Sequence, residues 1–177
     1  MRWRAAWAAV SDSFPEPHWG SETMSPLFAP AYAFASSRPG SRLLRTLAPL
    51  DRRILRATKG KYTLFGPTTL PTLLLTTTGR KSGQPRACAL NYLRDGDRLL
   101  ILGSNWGQQH HPGWSSNLLA NPDATVAISG SEIDVTASAL SGPDRENAFQ
   151  RFLDYPMYRS YRNRTERELR LFALSRR

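Results

Sequence analysis

Cysteine is nearly missing from this chain of 177 residues: Cys88 stands alone. An intrachain disulfide is therefore excluded, and a reducing, cytoplasmic setting is the expectation. Three histidines and one cysteine form no CxxC or HExxH set, so no metal site is expected. No apolar run approaches the roughly 20 residues of a spanning helix. The longest lies around Leu73 to Leu75, which excludes a membrane-spanning helix and leaves surface attachment open. Internal repeats, a Walker loop and a G-x-S-x-G elbow are all absent. Acidic residues are scarce, with 14 Asp plus Glu against 24 Lys plus Arg and a net charge of +10. Such a balance points to solubility in part, and otherwise to an anionic partner: nucleic acid, acidic lipid or a phosphorylated ligand.

What is present is enough for one domain, with 40% hydrophobic residues. Residues 1–40 are rich in Pro, Ser, Ala and aromatics without a period, and read as a poorly structured extension. The opening MRWRAAWAAV fails as a signal peptide, because Arg4 interrupts its apolar stretch; Met24 is an alternative natural start. The folded domain is expected over 41–177. Residues 41–57 predict a basic amphipathic helix with Leu43, Leu47, Leu50 and Ile54 on one face and a kink at Pro49. Either that leucine face packs on the domain or it lies on an anionic membrane. Eight basic residues between Arg38 and Lys61 face only Asp51, a candidate anion-facing surface.

From residue 70 the pattern turns to short β-rich runs: LPTLLLTTT, ACALNYL, RLLILG, ATVAIS, IDVTASAL and LRLFAL. Asp95-Gly96 and Ser129-Gly130-Ser131 mark tight turns between them. Helices are expected at PGWSSNLLAN, from Pro143 to about Asp154, and over YPMYRSYRNR. About six strands at close spacing predict mainly antiparallel pairing, and a small barrel with peripheral helices rather than a doubly wound sheet.

Three motifs could carry chemistry. The loop Gly79-Arg80-Lys81-Ser82-Gly83-Gln84-Pro85-Arg86 combines tight-turn glycines with three cations, suited to phosphate or carboxylate; an ordinary charged hairpin reads the same. Ser104-Asn105-Trp106-Gly107 and His111-Pro112-Gly113-Trp114 place glycines and stacking aromatics just after a strand, where ligands are often held. Tyr155, Tyr158 and Tyr161 recur every three residues and would share a helix face, as a pocket wall or as core. No nucleophile–base pair is evident. That suits hydride transfer, in which a bound cofactor brings the reactivity.

In their order and intervals, TTTGRKSGQPR, LRDGDRLLILGSN, HPGWSSNLLANP and YPMYRSYRNRT resemble the deazaflavin-dependent nitroreductase family over roughly residues 65–175. The resemblance implies a six-stranded split β-barrel of the FMN-binding type, mainly β with peripheral helices (α+β), and coenzyme F420 as cofactor. It implies that Arg80, Lys81, Ser82, Arg86, Ala87, Cys88 and Ala89 hold the anionic tail. Leu102, Gly103, Ser104 and Asn105 would line the deazaflavin ring, and Gly113, Trp114, Ser115, Ser116 and Asn117 would cover it. Ser104, Tyr155, Tyr158 and Tyr161 would serve catalysis, with Tyr158 nearest the cofactor and a Tyr hydroxyl, Ser104 or water as proton source. The acceptor that the resemblance implies is a small molecule: a quinone, enone or nitro-aromatic. Ser115, where relatives commonly carry an aromatic, Cys88-Ala89 in place of Asn-Pro, and Asn105 in place of Lys put nitroimidazole reduction in doubt. An FMN enzyme on the same barrel, or a non-enzymatic basic protein on membrane or nucleic acid, are the rival readings, with no nucleic-acid module recognisable. Monomer and homodimer are both open.

Overall fold

The computed structural model describes residues 13–67 and 69–177. Six antiparallel strands close into a barrel: β1 (Thr72–Thr78), β2 (Pro85–Asp95), β3 (Arg98–Leu102), β4 (Asp123–Ile128), β5 (Ser131–Ala139) and β6 (Leu171–Arg176), in spatial order 1-2-3-6-5-4. The expected run of short strands and turns is thus realised, and closure removes every sheet edge. Alternation sends every second side chain of a strand into the barrel and the others outward. Leu73, Leu75, Leu99, Ile101, Val126, Val135, Phe172 and Leu174 point into the barrel. Leu100, Leu102, Leu171 and Ala173 point outward, under the helices α4 (Gly142–Leu153) and α5 (Pro156–Arg162).

Helices α1 (Ala29–Ser36) and α2 (Arg38–Ala57) precede the barrel, and α3 (Gly113–Ala120) links β3 to β4. The helix expected from residue 41 begins at Arg38, capped by Ser37, whose hydroxyl accepts from the Gly40 amide at 3.0 Å. It runs unbroken through Pro49. The leucine face is not its docking face. Gly40, Ser41, Asp51 and Leu55 are the buried positions, Leu44, Leu47, Ala48 and Ile54 are half-buried, and Leu43 and Leu50 are exposed. The docking stripe is therefore turned by one residue, about 100° around the helix. The reason is Asp51: its Oδ1 accepts from Thr63 Oγ1 and from the Leu64 amide, both at 2.7 Å, so a carboxylate can be buried there. Leu55 then seats on Leu74 and Ala127, beside Ala87 and Ala89.

The expectation of an unstructured extension is corrected for residues 13–40; MRWRAAWAAV lies outside the described residues. Phe14 is buried in the barrel core. The segment after it is aperiodic because barrel side chains, not its own backbone, satisfy it. Arg94 donates to the carbonyls of Phe14 and Pro15 at 3.0 and 2.9 Å, and Ser129 Oγ donates to that of Glu16 at 2.7 Å. Tyr155 donates its hydroxyl to the Glu22 carbonyl at 2.7 Å. The α1–α2 junction is fixed by Ser160 Oγ and Arg164, both donating to the Ser36 carbonyl. Among the described residues no helix is long and apolar enough to cross a membrane.

Candidate active site

The β1–β2 hairpin supplies the first part of the site. Its turn is closed by the Gly79 amide on the Gln84 carbonyl at 2.9 Å and the Gly83 amide on the Gly79 carbonyl at 2.7 Å, with Gly83 at φ +67°. Arg80, Lys81 and Arg86 project from it into solvent. Buried Asn117 of α3 braces the hairpin: its Oδ1 accepts from the Arg80 amide at 3.1 Å, and its Nδ2 donates to Thr77 Oγ1 at 3.0 Å. The rotated docking of α2 brings Arg52 and Arg56, one turn apart, to the same place. All five cations line one groove of about 760 Å³, with Ser82, Ala87, Cys88, Asn105, His110, Gly113, Trp114 and Asn117. The lining holds no carboxylate. Among the described residues, no ion pair engages Arg52, Arg56, Arg80, Lys81 or Arg86. The first amides of α3 open onto the groove at Gly113 and Trp114, where helix geometry leaves them without intrahelical acceptors. Five unneutralised cations and a helix start fit a multiply anionic ligand.

The groove continues into an aromatic cavity of about 110 Å³, with Cys88, Asn105, Pro112 and Trp114 common to both. Ala89, Leu90 and Asn91 of β2, Leu102 and Ser104 at the end of β3, Trp106, and Met157, Tyr158 and Tyr161 of α5 complete its lining. Its rim carries unusual backbone: Asn105, Trp106 and Gly107 lie in succession at φ +47°, +58° and +75°. Two non-glycine residues in the left-handed region store strain that neighbours must hold. Arg167 holds it. Its guanidinium donates to the carbonyls of Gly103, Ser104 and Gln108 at 3.0, 2.8 and 2.9 Å and meets His111 Nδ1 at 3.2 Å. Burial, then the neighbouring Arg170 and Arg167, push the His111 pKa below its ordinary value, so its imidazole stays neutral and Nδ1 accepts.

Burial also governs the acid–base character of the cavity. The Cys88 thiol is pushed up to about 11 by desolvation against the opposing pull of Arg52, so it is no thiolate nucleophile at neutral pH. Tyr161 is pushed up to about 12, and Tyr158 further up, by burial. Their phenols therefore stay protonated and serve better as hydrogen-bond donors than as acids. The Tyr161 hydroxyl has no partner among the described residues, an orphaned buried donor beside the cavity.

The structure thus gathers most of the residues expected from sequence. Arg80, Lys81, Ser82, Arg86, Ala87, Cys88, Gly113, Trp114 and Asn117 meet in the groove, and Ala89, Leu102, Ser104, Asn105, Tyr158 and Tyr161 in the cavity. Four stand apart. Ser115 is fully buried and donates to the Pro112 carbonyl at 2.9 Å; Arg170 binds the Ser115 and Ser116 hydroxyls at 3.4 and 3.0 Å. Gly103 lies behind the wall, its amide on the Arg170 carbonyl at 2.8 Å. Tyr155 spends its hydroxyl on Glu22. Arg52, Arg56 and Arg167 were not singled out as site residues. The first two lay within the basic stretch flagged in the sequence, but the leucine periodicity turned them away from the barrel.

A profile of the F420H(2)-dependent quinone reductase family matches residues 50–175. An F420H(2)-dependent quinone reductase of Mycobacterium tuberculosis strain H37Rv is 38% identical over 142 residues, covering 78% of this chain and 93% of the relative. A solved F420-H2-dependent reductase superposes with a TM-score of 0.54 at 33% identity, over 59% of this chain and 94% of its own. A second solved chain, described as a domain-swapped dimer, gives a TM-score of 0.57 at 30% identity over 76% of this chain and 98% of its own. The cationic groove, the aromatic cavity it feeds and these likenesses agree: the chain belongs to the F420H(2)-dependent quinone reductase family and is an oxidoreductase whose cofactor is F420.

Proposed function

We propose that the groove and cavity together form a site for F420 and a quinone acceptor. Arg52, Arg56, Arg80, Lys81 and Arg86, with the amides at the start of α3, hold the anionic phosphodiester and glutamate tail. Trp114, Cys88 and Ala89 hold the ring at the junction of groove and cavity, and Ser104 with Tyr158 and Tyr161 contacts the acceptor. When bound, reduced F420 supplies hydride-donor chemistry. The protein's part is to orient, to exclude water and to donate hydrogen bonds. Neutral Tyr158 and Tyr161 stabilise negative charge growing on a quinone oxygen without themselves ionising, because a buried phenolate is costly. The proton that completes the hydroquinone then comes from water at the open groove.

The observation that carries this reading is the set of five unpaired cations opening onto an aromatic cavity. Titration with F420 and FMN, followed by tryptophan fluorescence, tests it. Arg52→Ala and Arg56→Ala should each weaken F420 by about five- to tenfold, as one exposed charge-assisted contact of about 1 kcal/mol implies. Unchanged affinity, or tighter binding of FMN, would overturn it.

Peripheral membrane contact is a second, compatible reading, supported by the face of α2 that the barrel leaves free. Leu43 and Leu50 are 49% and 47% exposed and Phe34 of α1 is 52% exposed, flanked by Arg38, Arg42, Arg45 and Arg53. Apolar residues edged by arginines suit an anionic interface. Leu43→Glu with Leu50→Glu should abolish cosedimentation with phosphatidylglycerol vesicles; retention of binding would sink it. The domain-swapped relative makes a homodimer the expected assembly, which light scattering would read directly.

A further inference from the structure

Three arginines crowd the end of α5 and the loop behind it: Arg159, Arg162 and Arg164. Arg159 and Arg162 are exposed, whereas Arg164 is half-buried. A cation drawn out of water usually meets a carboxylate. Among the described residues, none pairs with Arg164. Neutral oxygens hold it instead. Its Nη1 donates to Ser41 Oγ at 2.8 Å, and its Nη2 donates to the Ser36 carbonyl and to Ser160 Oγ, the latter at 2.9 Å. Ser160 Oγ in turn donates to the Ser36 carbonyl at 2.7 Å. The stem is confined as well, because a Cβ added at Gly107 would come within 2.9 Å of Arg164 Cβ. The guanidinium is thus fixed by acceptors that leave its charge unneutralised.

That charge lies against one ring. The guanidinium carbon stands 5.4 Å over the centroid of Tyr161, within cation–π reach. Tyr161 is 1% exposed, lines the aromatic cavity and carries a hydroxyl with no partner among the described residues. Burial pushes its phenol up to about 12, and Arg164 pulls the other way. For Tyr158, the other phenol lining the cavity, burial and the two neighbouring phenols all push upward. A phenol that donates to an oxygen gaining negative charge takes part of that charge onto its own oxygen, and a nearby cation favours the shift. The two cavity phenols are therefore unequal donors, and Tyr161 is the stronger. We infer that Arg164 is a positioning residue for the reaction: held by Ser36, Ser41 and Ser160, it keeps an unneutralised cation on the Tyr161 ring and strengthens that hydroxyl as the donor to the acceptor oxygen. The inference rests on the reading of Tyr161 as a hydrogen-bond donor to the quinone.

A double-mutant cycle on the full chain, with menadione as acceptor and turnover of reduced F420 followed by absorbance, tests it. Tyr161→Phe should lower kcat by about ten- to a hundredfold. Arg164→Gln, which removes the charge, should lower kcat by about three- to tenfold and leave the menadione KM and the F420 affinity unchanged. In the Tyr161→Phe background the same change should alter kcat by less than about twofold, because no hydroxyl remains to strengthen. Arg164→Met takes the place of the glutamine variant if that one misfolds. Arg164→Lys restores a cation but cannot bond three acceptors at once; its Tm should fall with that of Arg164→Gln, while its kcat recovers to within about twofold of native. Equal kcat losses in the native and Tyr161→Phe backgrounds, or a lysine variant as slow as the glutamine one, would overturn the inference and leave Arg164 a purely structural tie. A native kcat in Tyr161→Phe would instead overturn the donor reading of Tyr161, and the inference with it.

Discussion

Replacing Arg167 by alanine should loosen the rim of the aromatic cavity before it unfolds the protein. This guanidinium bonds three successive-loop carbonyls at 2.8–3.0 Å and the His111 ring at 3.2 Å. A hydrogen bond contributes about 1 kcal/mol net, and in this half-buried place water recovers part of it. The loss should therefore come to about 3 kcal/mol, which lowers Tm by about 6–12 °C in a chain of this size. The same contacts oppose the strain at Asn105 and Trp106, roughly 1–3 kcal/mol each. Without them the turn should relax, and F420 affinity should fall although Arg167 is absent from both the groove and cavity linings. Arg167→Lys, which keeps the charge but only one donor direction at a time, should rescue little. Differential scanning calorimetry and F420 titration read the two effects separately. A Tm drop below about 2 °C with unchanged affinity would refute the assignment of Arg167 as the residue that holds this turn.

Three further outcomes follow from the geometry. The folded pKa of His111 lies below its ordinary 6.5, so below that pH the unfolded chain binds more protons; stability should be whole above pH 6.5 and decline as pH falls, and His111→Gln should flatten that decline in a Tm–pH series. Tyr158→Phe should lower kcat by up to about a hundredfold, the cost of one donor to a developing oxyanion, and leave the kcat–pH profile between pH 6 and 10 unchanged, because burial keeps the phenol neutral; a phenol ionisation present in the native profile and lost in the variant would make it the proton donor after all. Phe14→Ala should destabilise the fold by about 3–5 kcal/mol in urea titrations, since the ring is 2% exposed within the barrel core; a loss under 1 kcal/mol would mean that the N-terminal segment merely rests on the barrel.

The barrel was legible because short alternating runs and turn glycines act locally: β1 follows LPTLLLTTT, and the Ser129-Gly130 turn joins β4 to β5. The hairpin cations were legible for the same reason. What the sequence hid depends on distant partners. The periodicity of Leu43, Leu47, Leu50 and Ile54 is real, yet the helix docks on the stripe through Asp51, because Thr63 and Leu64 satisfy that carboxylate from outside the helix. That rotation sends Arg52 and Arg56 to the groove and Leu43 and Leu50 to the surface, with Leu47 and Ile54 left half-buried. The N-terminal segment had no period to read, since its carbonyls are met by Arg94 and Ser129, more than 75 residues away. Arg167 acts on backbone carbonyls, which leave no mark in the side-chain pattern.

The central claim is that the cationic groove holds the anionic tail of F420. Calorimetric titration of the native chain with F420, and with the same deazaflavin lacking its phosphate and glutamates, tests it most directly. Removing the tail should cost at least about tenfold in affinity, and the difference should shrink as salt is raised, because exposed cations supply it. Equal affinities for the two ligands at low salt would contradict the account.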